Sequence, residues 1–211
     1  MMNIRNIAML AGVCVMAAAC GPNLQNIGRT SDPTRFYSLT PVVEVATEEQ
    51  ALRAPNLVLG VGPVQVADYL DRSHIVVRES ATRLHLAEFD RWAGNTQREI
   101  QRVLAVNLAT LLGTEGVVTH PWKSGVSPEV SVEVFFDRFE KDKDGKVKLA
   151  ANWQVYGSEG REPLLFRRTV LERESGAGYD DITAEMSVLV GELSREIAVV
   201  AARFAQTAQQ R

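Results

Sequence analysis

The chain has 211 residues, 45% of them hydrophobic, and its 23 Lys and Arg against 26 Asp and Glu leave a net charge of −3. That balance offers no basic face for non-specific nucleic-acid binding and no polybasic patch for anionic lipid headgroups. Both cysteines, Cys14 and Cys20, lie near the start, so a mature chain beginning at an acylated Cys20 has no thiol catalysis, redox exchange or Cys-ligated metal.

Residues 1–19 read as a lipoprotein signal peptide. Arg5 supplies a positive n-region, and Ile7 to Met16 is an apolar run ending in Ala17-Ala18-Ala19. The run is too short for a transmembrane helix, which needs about 20 apolar residues. Ala17-Ala18-Ala19-Cys20 fits a lipobox, with Ala17 where Leu is more usual, and Gly21-Pro22-Asn23 after the cysteine resembles a bacterial lipoprotein. The competing reading is an ordinary signal peptide cut after Ala19. Cys14, preceded by the bulky Val13, is the poorer acceptor. Gly21 replaces the Asp typical of inner-membrane retention, which favours the outer membrane. Residues 20–34 form a flexible tether from the lipidated Cys20, rich in Gly, Pro, Asn and Ser. A single domain spans 35–206, and the Gln-rich end, 207–211, is a frayed tail.

Within the domain, Phe36 and Leu39 bracket a first strand, and the Glu-rich stretch from Pro41 to Pro55 reads as a loop. Leu57 to Val64 is an apolar run whose β-branched residues and closing Pro63 predict a buried strand. Asp68-Tyr69-Leu70-Asp71-Arg72 is a polar turn carrying two large side chains. Short strands follow at Ile75–Arg78 and Arg83–Leu86, and Glu88 to Trp92 leads into a helix. Thr96 and Glu99 have capping-box spacing, with Ile100, Val103, Leu104, Asn107, Leu108, Leu111 and Leu112 at helical period. Val117 to Trp122 reads as a strand ending at Pro121. From Ser127 to Phe139 the alternation is clean: Val130, Val132, Val134 and Phe136 point one way, and Phe135 and Phe139 belong to the second face. Asp144-Gly145 turns the chain into a return strand, and Leu164 to Leu171 completes a meander. Asp181 to Phe204 is a long amphipathic helix. The expected fold class is therefore α+β, a two-layer sandwich of a mainly antiparallel sheet with two principal helices, the longer one C-terminal.

Several of these segments carry a resemblance. Arg35-Phe36-Tyr37-Ser38-Leu39, Val61-Gly62-Pro63-Val64, Tyr69-Leu70-Asp71-Arg72, Ile75-Val76 and above all Leu86-Ala87-Glu88-Phe89-Asp90-Arg91-Trp92-Ala93 resemble the PqiC-type family. Its members are auxiliary lipoproteins of ABC-type and mammalian-cell-entry (MCE) lipid-transport systems in Gram-negative bacteria. The resemblance implies a non-enzymatic protein at the periplasmic face of the outer membrane, held by acyl chains on Cys20 (palmitate among them). It also implies an MCE-type transporter protein as partner, a role in membrane integrity, and possible self-association.

Motifs with catalytic or cofactor chemistry fall short in this chain. Gly60-Val61-Gly62 lacks a third glycine opening a helix and reads as a twisted or bulged strand. Asp142-Lys143-Asp144-Gly145 lacks the remaining calcium ligands, and Gly157-Ser158-Glu159-Gly160 lacks nucleophile-elbow spacing. His74, His85 and His120 have no i+3 or i+4 metal-ligand spacing. Glu88 and Asp90 are expected to form salt bridges with Arg83, Arg91 or Arg98. No catalytic residue, metal site or cofactor is assigned. Large amphipathic side chains remain in loops, at Tyr69, Leu70, Phe89, Trp92 and Trp122, either capping the core or serving an interface. Tyr69, Leu70, Asp71, Arg72, Arg91 and Trp92 are the candidate partner-binding residues. The resemblance implies an outer-membrane-anchored periplasmic lipoprotein that docks the periplasm-spanning component of a lipid-transport system. The alternatives are a lipid carrier with its own apolar cavity and, more remotely, a periplasmic hydrolase.

Overall fold

The computed structural model describes residues 33–41, 53–158, 160 and 162–209. The signal peptide, Cys20 and most of the Glu-rich stretch lie outside the described residues. Eight strands and two helices follow in the order β1 (Arg35–Tyr37), β2 (Leu59–Val66), β3 (His74–Arg78), β4 (Leu84–Trp92), α1 (Thr96–Leu112), β5 (Val117–Thr119), β6 (Val130–Lys141), β7 (Lys146–Gly157), β8 (Pro163–Glu174) and α2 (Tyr179–Gln209).

The α+β class holds, with the C-terminal helix the longer of the two, but the simple antiparallel sandwich does not. The single sheet is mixed and curled. β6 is its centre: one edge pairs along its length with antiparallel β7, which pairs in turn with antiparallel β8. The other edge is shared by two parallel neighbours, β2 along Val130–Phe136 and β3 at Lys141. β5 adds to β2 in parallel, β4 pairs antiparallel with β3, and β1 lies parallel beside β4. The parallel pairs of β2 with β5 and of β6 with β2 and β3 arise because the chain returns to the sheet after α1 rather than through a hairpin, and such a return brings a strand back in the same direction. Register shifts at Val61/Val64, His74/Val76 and Phe136/Arg138 bend the strands and supply the curl.

These bulges correct three expectations. The strand expected over Leu57 to Val64 starts two residues later and runs two further, β2 passing through Pro63 to Val66, with the proline falling where the register is already broken. The segment ahead of α1 is one long strand, because β4 crosses its own register shift and continues to Trp92. Beyond the shift at Phe136/Arg138, Phe139 turns inward, 2% exposed with its ring 5.6 Å from that of Phe136. It belongs to the core, and only Phe135 stays on the second face.

Asn95, rather than Thr96, caps α1: its side chain accepts from the Arg98 N–H, the usual way to satisfy an orphan amide of the first turn. Gly113 closes the helix in the left-handed region at φ 61°. The α1 stripe of Ile100, Val103, Leu104, Leu108 and Leu112 packs on β2, β5 and α2, while α2 lies across β6, β7 and β8. Between the helices, Asn107 Nδ2 donates to Ser194 Oγ at 3.2 Å in a fully buried contact. At Gly60 a Cβ would lie 2.7 Å from Trp122 Cη2 and 2.8 Å from Pro128 Cγ, so glycine here is a requirement of close approach. Trp122 therefore lies across the β2 backbone, edge-on to His120.

Candidate docking surface

The turn between β2 and β3 folds back over the second face of the sheet, where its large residues become structural. Leu70 is buried at 4% exposure. Tyr69 is half-buried, its hydroxyl 2.9 Å from both Glu140 Oε2 and the Asp137 carbonyl oxygen. Glu140 is fully buried, and every polar neighbour it has is a donor. Arg78 Nε donates to Oε1 at 2.9 Å, Arg138 Nε to Oε1 at 2.8 Å and the Phe139 N–H to Oε2 at 2.9 Å. Arg78 also stands over the Tyr69 ring, 5.5 Å from its centroid. Burial first, and the Glu140 carboxylate second, push the Tyr69 phenol up to about 12.

The remaining candidate residues gather at the same end of the molecule. Asp71 and Arg72 are exposed, tied to the start of α1 by Asn95 Nδ2 donating to Asp71 Oδ1 and Thr96 Oγ1 to the Arg72 carbonyl, each at 3.4 Å. Arg91 pairs with His74 across β3–β4, is partly exposed, and keeps a buried Nε without a partner. Trp92 is 5% exposed, its N–H donating to the Ser73 carbonyl at 2.7 Å. The structure therefore brings the six together but divides them: Leu70 and Trp92 in the core, Tyr69 half-buried, Asp71, Arg72 and Arg91 reaching solvent. Asp90 departs from expectation. It is 5% exposed and binds Arg35 Nε and the Tyr37 hydroxyl, both at 2.8 Å, because β1 comes to lie beside β4 from far away in sequence.

Beside this end, an open cleft of about 330 Å³ runs between β2 and the start of α1, lined by Pro63, Val64, Gln65, Asn95, Gln97, Arg98, Gln101 and His120. Its polar groups include one fixed cation, Arg98, and no carboxylate. Gln101 braces it, its Nε2 donating to the Val61 and His120 carbonyls at 2.9 and 3.0 Å. A second open cleft, of about 320 Å³, lies between β1 and α2 and is lined by Phe36, Tyr37, Ser38, Thr40, Asp180, Thr183, Ala184 and Ser187. Among the described residues no group of three or more His, Cys, Asp or Glu is placed to hold a metal. No described helix is long and apolar enough to cross a membrane.

Sequence reasoning missed Glu140, whose burial depends on Tyr69, Arg78 and Arg138 arriving from three strands or turns. It also missed the exposure of Leu164, Phe166 and Val170 on β8 (52%, 64% and 62%). The only signal for the latter was an apolar residue on the solvent side of a strand with a charged neighbour.

The fold and the segments of the resemblance converge on one family. Residues 37–198 match the model of the ABC-type transport auxiliary lipoprotein component. The chain belongs to that family. A crystal structure of an uncharacterised protein superposes with a TM-score of 0.60 at 24% identity, covering 70% of this chain and 93% of that one. Protein XCC0632 from Xanthomonas campestris, of the DUF330 family, superposes with a TM-score of 0.69 at 15% identity over 84% of this chain and 100% of its own. At these identities the likeness is one of fold. Among curated proteins nothing matches. Membership of this lipoprotein family implies membrane anchoring and an auxiliary part in ABC-type transport.

Proposed function

We propose that this auxiliary lipoprotein is a non-enzymatic, outer-membrane-anchored periplasmic subunit that docks the periplasm-spanning component of an MCE-type lipid-transport system. Membership of the auxiliary lipoprotein family carries the reading. Acyl chains on Cys20, palmitate among them, hold the protein at the membrane; two or more give stable attachment where one would be marginal. The exposed Asp71, Arg72 and Arg91, beside the Arg98 cleft, offer a polar docking end on a rigid base of Tyr69, Leu70 and Trp92. Filled interior positions favour docking over lipid carriage: Trp153, Phe136, Leu104, Leu108 and Leu149 are completely buried, and both clefts above are open, the one beside Arg98 lined mainly by polar groups.

The test is recovery of partners from membranes. The native chain is expected to incorporate labelled palmitate and to co-purify an MCE-type protein, and Cys20→Ala to lose both. Asp71→Ala combined with Arg72→Ala is expected to keep the anchor but weaken partner recovery about tenfold. Its Tm should stay within about 2 °C of the parent, since both side chains are at the surface. Undiminished recovery would move docking to another face. A palmitoylated chain that brings down no partner would return the lipid-carrier reading to the front, with phospholipid in native mass spectra as its signature.

A further inference from the structure

Two aromatic rings stand in water beside the point where the chain enters the domain. Phe36 is 67% exposed on β1 and Phe89 40% exposed on β4. Arg35 and Tyr37 turn toward Asp90, which leaves Phe36 on the other side of β1, in register with Arg91 of the parallel neighbour. Phe89, two residues before Arg91, shares that side by alternation. Among the described residues no carboxylate pairs with Arg91. Its Nη2 donates to the Glu88 carbonyl at 3.5 Å, and its buried Nε has no partner.

That set of side chains suits the interfacial layer of a bilayer. Aromatic rings gather where hydrocarbon meets headgroups, and an arginine beside them keeps its stem among apolar groups while the guanidinium reaches phosphate. The place of the rings in the chain says which surface meets them. β1 begins at Arg35, and thirteen residues lie between Cys20 and Thr34. Even fully extended, a segment of that length spans about 50 Å at most, so acyl chains on Cys20 keep the bilayer within reach of the β1–β4 side. Phe166, 64% exposed, lies instead on β8, separated from β1 in the sheet by β4, β3, β6 and β7. A tethered surface needs little affinity from each side chain, because the anchor makes the contact intramolecular. Two rings and one free guanidinium are then enough, with no polybasic patch.

We propose that Phe36, Phe89 and Arg91 form a second membrane contact, made by the folded domain itself: the two rings enter the headgroup layer of the bilayer that carries the acyl chains, and Arg91 meets lipid phosphate. The inference rests on the anchoring reading, which fixes the side from which the bilayer approaches. It goes beyond that reading by orienting the domain, since a tether alone leaves every face free to turn toward the membrane. Arg91 stands at the seam between this face and the docking end, which places docking by Asp71 and Arg72 next to the bilayer.

The experiment uses the native chain, purified from membranes and reconstituted on vesicles of phosphatidylethanolamine and phosphatidylglycerol. An acylated Cys20 leaves the mature chain without a free thiol, so Phe36→Cys and Phe166→Cys each accept one environment-sensitive dye. The two sites are exposed alike, which isolates position from polarity. The Phe36 site is expected to shift to the blue, brighten severalfold and be quenched by lipids spin-labelled near the headgroup, while the Phe166 site stays water-like. Adding Phe89→Asp sets a charge beside the probe and should abolish the shift, with circular dichroism confirming an unchanged fold. No shift at Phe36, an equal shift at Phe166, or indifference to Phe89→Asp would each overturn the contact while leaving the anchor intact. A Phe36 response that follows protein concentration rather than lipid would mean that protein covers the rings, and overturns it as well. Flotation of the parent reports the anchor separately. A parent that takes up dye at Cys20 and fails to float overturns the anchoring reading and this contact together.

Discussion

Replacing Glu140 with alanine is expected to lower the unfolding free energy by about 3–5 kcal/mol and Tm by roughly 10 °C. The carboxylate is fully buried and organises Tyr69, Arg78, Arg138 and the Phe139 amide. Removing it leaves two guanidinium groups facing one another in a partly desolvated site, which costs more than the pairings themselves contribute. Chemical denaturation of parent and variant checks the figure, and a loss under about 1 kcal/mol would show that water takes over the role of the carboxylate. Tyr69→Phe tests one arm alone and should cost about 1 kcal/mol. The same contact has a pH signature. With the folded phenol pushed up to about 12 from an ordinary value near 10, its stabilisation is complete below pH 10. It is lost as pH rises from 10 through 12, because the unfolded chain gives up the proton first. Tyr69→Phe should flatten that part of the stability profile.

Trp153→Ala is expected to cost about 3–5 kcal/mol. The ring is completely buried under α2, Nε1 donates to Thr169 Oγ1 at 3.0 Å, and Thr169 Oγ1 donates to Glu196 Oε2 at 2.6 Å. One side chain therefore fills the layer between sheet and helix and links β7, β8 and α2. Trp153→Phe keeps most of the volume and removes the donor, so its cost should be nearer 1 kcal/mol. Similar losses in the two variants would mean that the hydrogen-bonded chain to Glu196, rather than packing, carries the stability.

The different depths to which the sequence could be read have physical causes. Alternation in β6 and the helical period of α1 and α2 are local consequences of burying one face, and both were legible to within a few residues. The inward turn of Phe139 was not, because a bulge changes the parity of a strand without changing its composition. Tyr69 and Leu70 looked available for a partner because a turn has no local use for two bulky side chains. Tyr69 instead binds Glu140, contributed from 71 residues further along the chain, and Leu70 is buried in the core. Asp90 was expected to meet nearby arginines and instead, buried, meets Arg35 and Tyr37 of β1, a pairing created by strand order.

The sequence by itself determined the α+β class, the two amphipathic helices, the hairpin at Gly145 and the family, all of which rest on local periodicity or on the wording of short segments. Only the tertiary structure decided the parallel neighbours of β6, the burial of Glu140, the division of the candidate partner-binding residues between core and surface, and, among the described residues, the open edge of β8. Each of these depends on which distant segment arrives beside which. Residues far apart in the chain acquire their charge, burial and exposure from neighbours that local patterning does not encode.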